Sequence, residues 1–278
     1  MSGEGAEGGH FRGVTGRAID FDFDALATAG LLAPGNDRLA DEYRAIKRPI
    51  LRKAATATTD DTVEDVAGIH RLVMLASALP GEGKTFTSVN LSLSIARERD
   101  WSVLLVDTDC RNPSLSRLLG VADEPGLLDY LQNSSQRLED YVLPTNIERL
   151  FILPLGNVDV HAAELLASER MQEASAALAR GQFGDFIVVF DSSPLLLTPE
   201  SVIISGNVGQ VVLVVQANQT SRTAVGDALG KLDHNKTIGL ILNKASVEDR
   251  LTSYTYGYSY TSYGNASGAA SQPEGESK

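Results

Sequence analysis

Six short aliphatic runs punctuate the middle of the chain, at residues 72–76, 103–106, 150–153, 186–190, 211–215 and 238–242. Each is almost continuously apolar and too short for a stable helix, the pattern of strands buried on both faces. Between several of them the period changes. After Lys84, the side chains of Phe86, Val89, Leu93 and Ala96 fall on one helical face. Residues 161–180 carry Ala, Leu, Met and Glu at helical spacing, and 224–232 is a shorter stretch of the same kind. Strand and helix alternating at this spacing predict an α/β fold, a mostly parallel sheet with helices on both faces. No internal repeat interrupts the pattern.

The ends read differently. Residues 1–37 are rich in Gly, Ala and Asp with weak apolar patterning, and are expected to form a flexible arm. No Leu, Ile or Val follows Leu251, so 248–278 is expected as a flexible tail and 38–247 as the folded domain. Of 278 residues, 36 are acidic and 24 basic, a net charge of −12. That balance argues against nucleic acid or anionic lipid as a partner held by bulk charge. The single cysteine, Cys110, excludes an intrachain disulfide and fits a reducing compartment. No apolar run reaches the ~18 residues of a spanning helix, and the opening MSGEGAEGGHF lacks a signal-peptide pattern. The expectation is a cytoplasmic protein that meets a membrane only through a partner.

The first run leads directly into Ser77-Ala78-Leu79-Pro80-Gly81-Glu82-Gly83-Lys84-Thr85, where a helix begins. A strand, a glycine-rich turn and a helix start are what a phosphate-binding loop requires. Glycines let backbone N–H groups converge on phosphate oxygens without a Cβ clash, and the helix N-terminus adds partial positive charge. Lys84 would neutralise β- and γ-phosphate oxygens, and Thr85 would ligate Mg²⁺. Pro80, Gly81, Glu82 and Gly83 complete the candidate nucleotide contacts. The strict pattern G-x-x-x-x-G-K-[ST] has Gly where this chain has Ala78.

Two further runs end in carboxylates. One closes on Asp107-Thr108-Asp109, followed by Arg111 and Pro113, and another on Asp191. Ligands of doubly wound sheets sit outside the carboxyl ends of the strands, so Lys84, Asp107, Asp109 and Asp191 are expected around one phosphate. Asn243-Lys244-Ala245-Ser246 follows the last run. A guanine-specific loop would offer a carboxylate where Ser246 stands, which favours adenine. Asn243 either touches the base or caps the strand end. The four histidines show no paired metal spacing, and no G-x-S-x-G elbow occurs.

The motifs ALPGEGKT (78–85), LLVDTDCRNP (104–113) and IVVFDSSP (187–194) correspond to Walker A, A′ and B. With the tyrosine-rich end, they make the chain resemble the bacterial tyrosine kinases of polysaccharide synthesis, in particular the cytoplasmic autokinases associated with exosortase and exopolysaccharide clusters. The resemblance covers roughly residues 41–245 plus the tail. It implies a P-loop NTPase fold of the MinD/ParA type, with ATP and Mg²⁺ as cofactors. It also implies transfer of the γ-phosphoryl group to tyrosine, with Lys84 at the phosphates, Asp107 as first choice for the base, and Thr85, Asp109 and Asp191 at the metal. Exchange of the roles of Asp107 and Asp109 remains open.

The acceptors it implies are Tyr254, Tyr256, Tyr258, Tyr260 and Tyr263, five of the eight tyrosines. Alternation with Ser and Thr also suits a sticky edge strand. Sixteen residues from 247 to 263 span about 50 Å at most, which permits transfer in cis or in trans. Asp41, Arg44 and Lys47 resemble the family's E-x-x-R-x-x-R oligomerisation motif, implying a ring; a solvated charged helix face is the alternative. A separate transmembrane co-polymerase is the implied activator. The main competing reading is a switch ATPase of the MinD/ParA kind, which usually carries a signature Lys where this chain has Leu79; a third is a non-catalytic nucleotide-binding adaptor of a polysaccharide export complex.

Overall fold

The computed structural model describes residues 37–56 and 68–245, with positions 14, 18–22, 24 and 28 before them. The chain separates into two units, residues 1–243 and 244–278. The fold described below is that of the first. Of the second, only Lys244 and Ala245 are among the described residues, so the tyrosine cluster lies outside them.

The elements, in chain order, are α1 (Asp37–Thr56), β1 (Leu72–Ser77), α2 (Lys84–Ala96), β2 (Ser102–Asp107), α3 (Ser114–Leu118), α4 (Leu127–Gln132), β3 (Leu143–Pro144), β4 (Leu150–Leu153), α5 (Ala162–Leu166), α6 (Glu169–Ala179), β5 (Phe186–Asp191), α7 (Pro199–Gly206), β6 (Gln210–Gln216), α8 (Arg222–Leu229) and β7 (Thr237–Asn243). Seven strands form one sheet in the order β3-β4-β2-β5-β1-β6-β7. All neighbours are parallel except the antiparallel pair β3 and β4.

Side-chain alternation along the strands builds two cores. Val73, Leu75, Val103, Leu105, Ile187 and Val189 pack with Tyr43, Ile50 and Ala54 of α1 and Val89, Leu93 and Ile95 of α2. Leu72, Met74, Leu104, Val106, Val188 and Phe190 pack with α4 to α8 on the other face. The central strands are therefore dry on both faces, which is why they read as unbroken apolar runs. The edge strand β7, expected to be buried in the same way, instead leaves Leu240 61% and Leu242 58% exposed, because no strand among the described residues pairs with its outer side. Each fully buried Leu, Ile or Val contributes about 1.5–3 kcal/mol relative to exposure.

The helix α1 is held by a stripe at positions 43, 47, 50 and 54, at helical spacing. Lys47 belongs to this stripe. It is 5% exposed, its ammonium donates to the Ser94 carbonyl at 2.6 Å and pairs with Glu98 at 2.7 Å. Burial raises the Tyr43 hydroxyl to about 12.

Two expectations are corrected. The helical stretch expected at 161–180 is two helices, because the Ser168 hydroxyl accepts from Met171 N–H and starts α6 afresh. The arm expected at 1–37 is anchored at residues 18–22. Ile19 N–H donates to the Pro144 carbonyl at 2.8 Å, the Ile19 carbonyl accepts from Asn146 at 2.9 Å, and Phe21 is 4% exposed. Among the described residues, no helix is long and apolar enough to cross a membrane.

Candidate active site

The central strands bring the chemistry together. In the ladder, Asp191 is the register partner of both Leu75 on β1 and Asp107 on β2. The carboxyl ends of β2, β5 and β1 thus lie side by side, where a parallel sheet opens to ligands. The loop 78–83 crosses this end between β1 and α2. Gly81 and Gly83 adopt φ of 78° and 99°, a region closed to most side chains. A Cβ on Gly83 would also stand 2.1 Å from the Asn243 amide nitrogen. Ala78 is buried and is not among the left-handed residues, so the departure from Gly there costs no backbone strain.

Backbone bonds fix the loop's start. Leu195 N–H donates to the Ser77 carbonyl at 2.8 Å and Leu196 N–H to the Ala78 carbonyl at 3.3 Å. The Ser77 hydroxyl donates to the Leu79 carbonyl at 2.8 Å. Beside the loop lies a cleft of about 390 Å³. Pro80, Gly81, Gly83, Lys84 and Thr85 line it, together with Phe86, Asp109, Arg111, Asn112, Ser114, Pro194, Leu197 and Thr198.

The three aspartates hold different positions. Asp191 is fully buried; its carboxylate accepts from the Thr85 hydroxyl at 2.7 Å and the Ser88 hydroxyl at 2.9 Å. Burial, reinforced by Asp107, raises it to about 7. Asp107 is also fully buried, and accepts from Ser116 N–H at 2.9 Å, the Ser116 hydroxyl at 2.7 Å and Asp109 N–H at 3.0 Å. Burial raises it to about 6 despite those bonds. Asp109 alone of the three lines the cleft. Its Oδ1 accepts from the Ser193 hydroxyl at 2.7 Å, Asn112 N–H at 3.0 Å and Arg111 N–H at 3.2 Å. All three bonds fall on one oxygen.

The raised carboxyls carry a pH consequence. Below about pH 4, each is protonated in folded and unfolded chains alike and its contribution to stability is intact. As pH rises through 6 and 7 the folded carboxyls must ionise while buried, and that contribution is lost. The nucleotide-free protein in EDTA is therefore expected to melt lower at pH 8 than at pH 5, by about 2–4 °C for each kcal/mol lost. Asp191→Asn should flatten this slope in thermal melts; an unchanged slope would contradict the burial argument.

The sequence-expected residues are mostly gathered here. Asn243 lies at the end of β7, where its amide donates to the Glu82 carbonyl at 2.8 Å, so it reaches the phosphate loop itself. The Glu82 side chain is not part of the cleft lining. Asp41 and Arg44 pair with each other at 2.8 Å on the exposed face of α1, whereas Lys47 is buried against α2. Sequence reasoning missed Ser88, Ser116 and Ser193, the hydroxyls that orient the three aspartates. Nothing in their spacing marks them off from other serines.

No protein-family model matches the chain. The tyrosine-protein kinase CpsD of Streptococcus agalactiae serotype Ia is 31% identical over 180 residues, which cover 64% of this chain and 75% of that protein. The crystal structure of the VpsO kinase domain matches with a TM-score of 0.57 and 32% identity, covering 73% of this chain and all of that one. This chain belongs to the bacterial tyrosine kinase family. The fold of this tyrosine kinase is shared more widely. The septum site-determining protein MinD of Pyrococcus horikoshii, solved with Mg-ADP, matches with a TM-score of 0.52 and 30% identity over 64% of this chain and 73% of its own. The kinase thus has a P-loop NTPase fold.

Proposed function

We propose that this kinase is an ATP-dependent autokinase that phosphorylates its own C-terminal tyrosines, Tyr254, Tyr256, Tyr258, Tyr260 and Tyr263. The observation carrying the reading is the placement of Asp109 in the same cleft as Lys84 and Thr85. A cleft lined by a phosphate loop and by one of the three aspartates suits phosphoryl transfer to a hydroxyl. A phenol of ordinary pKa near 10 stays protonated at neutral pH and gains from a proton acceptor.

In this scheme a phenol oxygen forms the new bond to the γ-phosphorus. The bond from that phosphorus to the β–γ bridging oxygen breaks, and ADP leaves. Asp109 takes the phenol proton. Asp107, expected first as the base, is walled in by Ser116 and instead orders the turn that carries Asp109. Lys84 neutralises charge on the phosphates. Thr85 and Asp191 fit an Mg²⁺ site, a hydroxyl and a buried carboxylate already 2.7 Å apart. The ion, when bound, would neutralise charge on the phosphates during transfer. Among the described residues no three His, Cys, Asp or Glu side chains cluster into a ready cation site.

Transfer is proposed in trans, within a ring in which the exposed Asp41 and Arg44 meet a neighbouring subunit. The partner is a separate transmembrane co-polymerase, which would hold the kinase at the inner face of the membrane for exopolysaccharide synthesis and export. The trans step is tested by mixing a Lys84→Met chain with a chain whose five tail tyrosines are Phe. Phosphotyrosine on the Lys84→Met chain is expected; its absence from an active mixture would mean transfer in cis. Phosphorylation should also loosen assembly. Five phosphotyrosines add about −7 to −10 charges to a chain at −12. Phosphorylated protein is expected to sediment as smaller species than unmodified protein, most clearly at low salt; identical profiles would contradict this.

A further inference from the structure

Glu82 sits in the middle of the phosphate loop, yet its side chain does not line the cleft and is 2% exposed. A carboxylate is costly to bury unless donors surround it. Here Leu79 N–H donates to Oε2 at 2.6 Å, and the Thr220 hydroxyl and Gln216 N–H donate to Oε1, the latter at 3.5 Å. Thr220 is itself tied down: its hydroxyl accepts from Gln216 N–H at 3.2 Å, and its N–H donates to the Gln216 carbonyl at 3.1 Å. The backbone of Glu82 is held from a second side, by the Asn243 amide at 2.8 Å. One loop residue is therefore gripped by the turn after β6 through its side chain and by the end of β7 through its carbonyl.

The flanking residues show why a grip is needed. Gly81 and Gly83 lie on either side, both in the left-handed region, and glycines have the most backbone freedom to lose. Phosphate binding requires the loop N–H groups to point inward together before the nucleotide arrives. Left to its glycines, the loop would spread over many conformations.

We propose that Glu82 is a positioning residue, and that its bond to Thr220 straps the phosphate loop to the 216–220 turn and presets it for nucleotide. Glu82 does not touch the nucleotide in this account; it acts through the loop backbone. The proposal rests on nucleotide binding in the cleft, and not on which group accepts the phosphoryl.

The test measures Mg–ADP affinity by calorimetry beside the melting temperature of the nucleotide-free protein. Glu82→Ala is expected to weaken affinity about tenfold or more, as befits a lost charged hydrogen bond. Thr220→Val keeps the shape and removes the hydroxyl, and should weaken affinity about three- to tenfold. Glu82→Gln retains an acceptor for Leu79 and a donor that Thr220 can accept, and should recover most of the loss. The double variant Glu82→Ala/Thr220→Val should be no weaker than Glu82→Ala alone, because both break one strap. Should Glu82→Ala fail to fold, Thr220→Val and Glu82→Gln carry the test. A Thr220→Val protein with wild-type affinity overturns the proposal. So does a double variant whose losses multiply, or a loss of melting temperature with affinity intact. All of these readouts hold whether or not tyrosine is the acceptor, so failure of the autokinase reading shows separately as missing phosphotyrosine.

Discussion

Replacing Lys84 with Met is expected to cut tyrosine phosphorylation about 10²- to 10³-fold, the range for removing one preorganised charge partner of a transition state. Lys84 opens α2, is 7% exposed and lines the cleft. Its ammonium therefore works where water is scarce and a charge interaction is strong. Methionine keeps most of the stem's bulk, so α2 and the sheet beneath should stay folded. The check is phosphotyrosine formed per unit time beside a thermal melt. A melting temperature within a few degrees of wild type together with lost transfer fits the account. Transfer retained within tenfold would remove Lys84 from it.

The second large effect separates two aspartates that look alike in sequence. Asp109→Asn is expected to lower kcat about 10²- to 10⁴-fold, the usual worth of a positioned base, while Mg–ADP affinity changes less than tenfold. Asp107→Asn should behave differently. Its carboxylate meets only donors, from Ser116 and Asp109, so an amide there turns its NH₂ against one of them. A buried mismatch of that kind costs about 1–3 kcal/mol, and lowered stability is the expected first symptom. A chemical-step defect in Asp107→Asn with stability intact, beside a mild Asp109→Asn, would reverse the assignment.

Much of this arrangement could be read from the chain because burial on both faces writes itself plainly. β4 at Leu150–Leu153 coincides with its apolar run; β2, β6 and β7 extend one residue beyond each end of theirs, and β1 and β5 one residue at the end only. The acidic ends followed from the same logic, since an apolar strand that stops at Asp107 or Asp191 delivers that group to the ligand side of a parallel sheet. The misses share a cause as well. Residues 19–22, Ile-Asp-Phe-Asp, alternate in the manner of an edge strand, but the pattern is short and set among glycines. The two-residue β3 carries no period at all. Lys47 reads as a surface charge, and its burial depends on Ser94 and Glu98, residues of another helix and the turn after it. Glu82 lies inside the phosphate-loop motif, and two of the donors that hold its side chain, Gln216 and Thr220, come from far along the chain.

The central claim is that the cleft moves phosphate onto the tyrosines at 254–263. The direct measurement is peptide mass spectrometry of purified protein after incubation with Mg²⁺ and ATP, beside Lys84→Met. Phosphate is expected on those tyrosines in the wild type, and at least about a hundredfold less in the variant. Lys84-dependent ATP hydrolysis with no tyrosine phosphate, persisting when a transmembrane co-polymerase is supplied, would contradict it and favour a MinD-like switch ATPase.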